Sequence, residues 1–381
     1  MDFTKTGKDK EKNTFKITVK KKLKNYNPSL QIEKIANTDL KPNPEYQLMN
    51  SLEKKDPNKV KTYNEDFIKI LSELKDIKVI LGEHFKANAY SKAEEEIIKY
   101  ENPIYSTNQI KSLPHIGKAI IEKLDEFINT GKVNAIEKEK NNPIIFLSKI
   151  YGIGPKKAKE LINKGITNID ELKSNEDLLN AKQKIGIKYY TEINKKIPRL
   201  EIEEYKELLE KNFKEVAPPE SSFEIVGSYR RGAQASGDID IIITNKNNNI
   251  NAYNKFLDIL IEKNIVIEVL SRGSIKSMTI AKLNEPNAIA RRLDFLYTPP
   301  DEYAFAVLYF TGSKYFNVVM RQHALDMGFS LNEHGIYKMI KGKKGELIKG
   351  NFLNEESIFE FLNLIYKSPF ERKNAQDIQI I

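Results

Sequence analysis

The run Gly237-Asp238-Ile239-Asp240-Ile241-Ile242-Ile243 leaves a chain few ways to fold. Its alternation reads as a β-strand, whose successive side chains point to opposite faces, so Asp238 and Asp240 share one side while Ile239 and Ile241 enter a core on the other. Two carboxylates side by side repel unless a cation lies between them, and hard oxygen ligands favour Mg2+. The strand therefore belongs in a sheet with one face covered by apolar side chains and the other open to charge at this point. Asp294, in Arg291-Arg292-Leu293-Asp294-Phe295-Leu296, lies in a second strand-like run and is the candidate third ligand. Three carboxylates would let two divalent ions share oxygens, with Mn2+ the alternative to Mg2+.

Just upstream lies Gly227-Ser228-Tyr229-Arg230-Arg231-Gly232. Gly227-Ser228 closes a strand and opens a helix, which turns backbone amides and a hydroxyl toward phosphate oxygens, and Arg231 adds a planar guanidinium fork. Combined with the carboxylates, this is an arrangement for nucleotidyl transfer. A solvated acidic edge strand would account for one Asp-x-Asp, but not for the Gly-Ser turn and paired arginines at this spacing.

Asn64 to about Ile197 has a different period. Phe67, Ile70, Leu71 and Leu74, then Ile120, Ile121, Leu124 and Ile128, recur at three and four residues, which predicts an all-helical half. Within it Leu113-Pro114-His115-Ile116-Gly117 recurs 37 residues later as Ile150-Tyr151-Gly152-Ile153-Gly154, each followed by a helix. Glycine between two short helices permits a tight turn and close approach of the backbone to a partner, and the amides opening the next helix favour an anion. A helix-hairpin-helix grips a DNA phosphate in this way without reading bases. An ordinary helix-helix turn would explain one copy better than two, and His115 stands where the first copy lacks its glycine. After Pro198 a helix over Leu200 to Phe213 leads to strands at Phe223–Val226, Asp238–Thr244, Val266–Leu270 and Arg292–Tyr297. Helical spacing returns at Phe305–Tyr309, Tyr315–Leu325 and Ser357–Tyr366.

Composition sets outer limits. At about 150 residues per domain, 381 residues make two or three domains. The absence of cysteine excludes disulfide frameworks, thiolate zinc sites and cysteine nucleophiles. No apolar run approaches the roughly 18 residues needed to span a bilayer, and the opening residues lack the apolar core of a secretory signal. The net charge of +9 is uneven: residues 1–24 hold nine lysines against three acids, whereas residues 61–145 hold 13 lysines against 14 acids. Affinity for a polyanion must therefore come from particular sites in a nearly neutral body, aided by a basic tail. That tail, through residue 60, is expected to be disordered. Its Lys20-Lys21-Lys22-Leu23-Lys24 run reads as a nuclear address or a loose DNA tether.

With Leu308-Tyr309-Phe310-Thr311-Gly312-Ser313, Phe316-Asn317 and Met320-Arg321 added, the chain from about Asn64 onward resembles the X-family DNA polymerases, and among them the DNA polymerase beta type. The resemblance implies a multidomain α and α+β fold. A basic tail (1–60) would precede a helical lyase-like domain with the first hairpin (61–140) and a helical DNA-binding subdomain with the second (141–198). A nucleotidyltransferase palm with a mixed sheet (199–300) and a C-terminal α+β subdomain closing over the nucleotide (301–381) would follow. It further implies template-directed filling of short gaps in DNA repair by two-metal transfer. The alternatives are a template-independent nucleotidyltransferase and a non-catalytic DNA-end-binding scaffold.

By matching positions, Asp238, Asp240 and Asp294 resemble the metal triad, with Asp294 the base toward the primer 3′-hydroxyl. Lys196, Ser228, Arg231, Gly237 and Gly312 fall on nucleotide-binding positions, Lys196 where the family usually has arginine. Tyr309 and Phe310 resemble the pair packing under the sugar, and Asn317 and Arg321 the contacts to the nascent pair. DNA contacts fall on Lys86, Tyr90, Lys111, Gly117, Gly152 and Gly154. Backbone carbonyls at Lys111, Leu113, Ile116 and at Ser148, Ile150, Ile153 would hold a monovalent cation at each hairpin. Lys123 matches the lyase lysine, which forms a Schiff base with an abasic sugar. Ala119 and Ala135 depart from phosphate-binding lysines. Lys314 stands where the beta type is acidic beside the incoming base, and Val318 replaces a template-stacking lysine. The implied partners are gapped or primed duplex DNA and deoxynucleoside triphosphates, without a membrane and with no protein partner legible. A monomer is expected, located inside the cell in the nucleus or wherever DNA is replicated and repaired.

Overall fold

The computed structural model describes residues 61–374 and 377–381, so the expected disorder of residues 1–60 lies outside the described residues. The first half is helical, as its period requires: α1 (Asn64–Ile80), α2 (His84–Lys99), α3 (Lys118–Thr130), α4 (Asn134–Glu137), α5 (Pro143–Ser148), α6 (Pro155–Asn163), α7 (Ile169–Lys173) and α8 (Ala181–Ile193). Two cores form here. Phe67, Leu71, Leu74, Ile97, Ile98, Ile120 and Leu124 close α1, α2 and α3 on one another. Leu147, Ile150, Ile153, Leu161 and Ile187 do the same for α5 to α8.

A two-residue strand β1 (Ile197–Pro198) leads into α9 (Arg199–Val216), and then come β2 (Ser221–Ile225), α10 (Gly227–Arg230), β3 (Ala235–Ser236), β4 (Ile239–Asn245), α11 (Asn251–Glu262), β5 (Val266–Arg272), β6 (Lys276–Ala281) and β7 (Arg291–Tyr297). The main sheet runs β2-β4-β7-β6-β5, with only β4 and β7 parallel, so it is mixed. Ile239, Ile241 and Ile243 face a core built with Tyr205, Phe213, Phe256 and Leu260 of α9 and α11. On the opposite face Ile242 and Val226 meet Ala306 and Val307 of α12 (Tyr303–Thr311). Elsewhere on this face Tyr151 and, from α8, Ile185, Tyr189 and Ile193 cover Leu270 and Ile280, and the start of β4 is left to the aspartates.

The remainder comprises α13 (Lys314–Asp326), a three-stranded antiparallel sheet of β8 (Phe329–Asn332), β9 (Gly335–Ile340) and β10 (Lys343–Leu347), and α14 (Glu355–Phe361). The fold is thus all-helical, then mixed, then α+β.

The structure departs from the expected elements in three places. The interior strand β6 reads as polar, yet Ser277 and Thr279 are fully buried because Tyr253 meets the Ser277 hydroxyl and the Thr279 hydroxyl donates to the Leu293 carbonyl at 2.9 Å. The strands β8 to β10 have too little apolar alternation to announce themselves. The last helix stops at Phe361 and not Tyr366: Asn363 takes a left-handed φ of 55°, and Leu364 then bridges to Ile380.

Candidate active site

Parallel pairing of β4 with β7 puts Asp240 directly opposite Asp294. Asp238 stands immediately before β4, and one oxygen from each of the three carboxylates falls within 4.8 Å of the others. Arg292, two residues before Asp294 and so on the same face, reaches across this group. Its Nη2 donates to Asp238 Oδ2, and its Nε lies 3.5 Å from Asp294 Oδ1.

One guanidinium does not neutralise three carboxylates. Burial, then the charges of Asp238 and Asp294, push the Asp240 carboxyl up to about 7. Burial likewise raises that of Asp294, against the pull of Arg292. Asp294 Oδ1 is buried without a hydrogen-bond partner. Three converging hard-oxygen donors, with Asp294 Oδ1 orphaned and both Asp240 and Asp294 reluctant to ionise unaided, fit a divalent cation. Gly227 makes room for them. Its φ is +67°, and a Cβ there would lie 2.8 Å from Asp240 Oδ2, so both conformation and space require glycine.

The residues expected to face phosphate converge on the adjoining turn. The Ser228 hydroxyl donates to Ser236 at 2.8 Å, which ties the start of α10 to β3. Pairing of β1 with β3 brings Lys196 beside Gly237, where a Cβ would lie 3.7 Å from Lys196 Nζ. Arg231 donates to the Thr311 carbonyl, its Nη1 beside Gly312. Burial lowers the Arg231 pKa, opposed by the Asp240 charge. Lys196, Ser228, Arg231, Gly237 and Gly312 therefore lie together, although the first two and the fifth are far apart in sequence.

Tyr309 and Phe310 meet edge to face, 5.2 Å between centroids, and Phe310 packs against the sheet beside Val226 and Ile242. Asn317 Nδ2 donates to the Tyr309 carbonyl at 2.7 Å, and Tyr309, Asn317 and Arg321 line one narrow cavity.

The two hairpins share a backbone. Gly117 and Gly154 cap α3 and α6 with φ,ψ of −84°, 169° and −85°, 174°. His115 takes a φ of 63° where Gly152 takes 80°, so the missing first glycine alters strain and not shape. The Ile116 and Ile153 amides donate to the Leu113 and Ile150 carbonyls at 3.3 and 3.0 Å. The carbonyl positions Lys111, Leu113 and Ile116 thus correspond one for one with Ser148, Ile150 and Ile153.

On the N-terminal core Lys86 is ion-paired with Glu83, Tyr90 is half-buried on α2, and Lys111 lies 3.4 Å from Asn108 Oδ1. The Lys123 ammonium donates to the Ala119 carbonyl at 3.0 Å, one turn back on its own helix. No side chain of another element holds it among the described residues.

Sequence reading missed Arg292, although alternation along the quoted run puts it on the face of Asp294. It also missed a buried network behind the site. Arg230 donates to Glu355 at 2.8 Å and to Thr311 at 3.0 Å, and fully buried Arg372 also donates to Glu355. No local signal pairs residues so far apart.

Four family models match the chain in order: a helix-hairpin-helix domain over residues 62–133, the fingers domain of DNA polymerase lambda over 146–194, and the palm and thumb of DNA polymerase beta over 196–300 and 306–373. DNA polymerase lambda of Arabidopsis thaliana is 31% identical over 331 residues, 81% of this chain and 62% of that protein. The chain belongs to the X family of DNA polymerases. The DNA polymerase lambda of Rattus norvegicus is 28% identical over 82% of this chain and 57% of its own length, and a DNA nucleotidylexotransferase of Xenopus laevis is 26% identical over 77% and 66%. The chain thus spans about three fifths of the polymerase lambda proteins it matches. Within this family, the carboxylates on β4 and β7 belong to the matched palm.

Proposed function

We propose that the protein is a template-directed DNA polymerase that fills short gaps during DNA repair. The observation that carries this reading is the convergence of Asp238, Asp240 and Asp294, one oxygen buried and unbonded, beside a turn that gathers Lys196, Ser228 and Arg231. Asp238 and Asp240 would hold two Mg2+ or Mn2+ ions with Asp294. When bound, the ions neutralise the triphosphate and lower the pKa of the attacking hydroxyl. Asp294 takes the proton of the primer 3′-hydroxyl, whose oxygen then attacks the α-phosphorus as pyrophosphate leaves. Ser228, Arg231 and the amides near Gly237 orient the triphosphate, and Lys196 adds a point charge. Tyr309, Phe310 and Gly312 seat the sugar, while Asn317 and Arg321 meet the nascent pair.

The hairpins grip phosphates of duplex DNA through Gly117, Gly152 and Gly154, and the carbonyls of each would hold a monovalent cation. Lys86, Tyr90 and Lys111 take the 5′-phosphate side of the gap. Lys123 is the lyase nucleophile: its amine adds to the sugar aldehyde, water leaves, and a Schiff base results. The domain boundaries at 60, 140, 198 and 300 divide tail, lyase-like, DNA-binding, palm and closing parts. We place the protein inside the cell where DNA is repaired, as a monomer. No helix of the described residues is long and apolar enough to cross a membrane.

The deciding experiment offers a one-nucleotide-gapped duplex, Mg2+ and each deoxynucleotide separately. Insertion of the complementary nucleotide, lost in Asp294→Ala, is expected; insertion blind to the template base would overturn the templated reading. The nucleotidylexotransferase likeness keeps a template-independent reaction as the second reading, which extension of single-stranded primer would reveal. Against it, β4 connects to α11 directly through Lys246–Ile250, with no long insertion. A scaffold without catalysis would be unchanged by Asp240→Ala.

A further inference from the structure

Helix α13 carries Asn317 and Arg321, yet it belongs to two cores. Phe316, Met320 and Ala324 are buried in the C-terminal core, whereas Tyr315, Val318 and Val319 pack against the core of α1 and α2. On that seam sits Glu94 of α2, only 2% exposed. It accepts from the ammonium of Lys314, the first residue of α13, and lies 3.7 Å from Lys75 of α1. A carboxylate so far removed from water is stable only with its cations in place. One of Glu94's cations comes from its own core and the other from across the seam.

Among the described residues no other hydrogen bond or ion pair crosses the seam. Glu65, Asp66, Glu101, Tyr315 and Asn374 line a cleft of about 370 Å3 there, and Lys99, Val319, Gln322, His323 and Asp326 line another of about 660 Å3. Apolar packing is non-directional, so it allows α13 to slide, whereas the Lys314–Glu94 pair fixes its start. Lys314, which by position would face the incoming base, is instead committed to this pair.

We propose that Glu94 is a positioning residue: it fixes α13, and with it Asn317 and Arg321, so that the N-terminal helical region sets affinity for the incoming nucleotide without touching it. This rests on the polymerase reading above. The test uses the full chain on a primed single-stranded template that lacks a downstream 5′ end, so that the N-terminal region contributes through the seam and not through a gap. Glu94→Gln is expected to raise KM for the complementary nucleotide about 5-fold or more, the usual scale of coupling between sites, with kcat within about twofold. Lys314→Gln should raise KM in wild type but add nothing in the Glu94→Gln background. Val319→Ser, which loosens the same seam without touching the buried charge, should raise KM in the same direction even if Glu94→Gln folds poorly. An unchanged KM in Glu94→Gln or Val319→Ser, or effects of Glu94→Gln and Lys314→Gln that multiply, would overturn the inference. A wild-type chain that inserts nothing would instead sink the polymerase reading.

Discussion

Asp240 is the group on which burial and charge press hardest. Its unperturbed value of 3.8 is raised to about 7 in the folded, metal-free protein, so the folded state holds a proton that the unfolded chain has already lost. Stability from this group is therefore present at low pH, falls as pH rises from about 4 to 7, and is fully lost above that. Asp240→Asn removes the penalty. Relative to wild type, its metal-free melting temperature should climb across that window and level off above it, a gain on the order of 4 kcal/mol. Added divalent ion should stabilise wild type and not the variant; parallel melting curves at all pH values would refute this. Gly227 tests the same carboxylate from below. Gly227→Ala sets a Cβ 2.8 Å from Asp240 Oδ2 at a φ of +67°, so it should cost at least about 1 kcal/mol of strain and cut the insertion rate on the order of 100-fold. Single-turnover kinetics at saturating nucleotide reads that loss.

At the scale of elements, the site depends on what lies behind it. Glu355 of α14 binds Arg230 at the end of α10 and Arg372 near the C-terminus, and Arg372 lies over the rings of Phe316, Phe359 and Tyr366. The turn at residues 227–231 is thus braced against the C-terminal core by a buried ion triad. Arg372→Met keeps the packing volume but leaves Glu355 one cation short, which should cost about 3 kcal/mol in urea unfolding. Glu355→Gln in the same chain should recover part of that cost, because no uncompensated charge then remains. No recovery would show that the packing, and not the charge, matters.

For the whole molecule, charge is separated along the chain. The nine lysines among residues 1–24 form most of the +9 excess, while the body that carries the site is close to neutral. Phosphate contacts release counterions, so each lysine engaged adds about 0.9 to the slope of log affinity against log salt. Deleting residues 1–24 should make that slope shallower by several units for gapped DNA and leave the insertion rate at saturating DNA unchanged. An identical slope would remove the tail from DNA binding.

Periodicity and chemistry carried far in this chain because they are local. The alternation at Ile239–Ile243 set the face of Asp238 and Asp240, the three-and-four spacing set the helical half, and the 37-residue repeat paired the hairpins even with His115 in a glycine's place. What spacing could not supply was anything depending on distant neighbours: that β6 is interior despite its serine and threonine, since only the fold provides Tyr253 and the Leu293 carbonyl to satisfy them; that Asn363 ends the last helix; that Arg292 reaches across to Asp238; that Glu94 meets Lys314. Side-chain direction along one strand or helix follows from the backbone's own repeat, so the sequence determined which residues could act together within an element. Which elements meet depends on burial of surfaces contributed by segments hundreds of residues apart, and only the tertiary structure decided that.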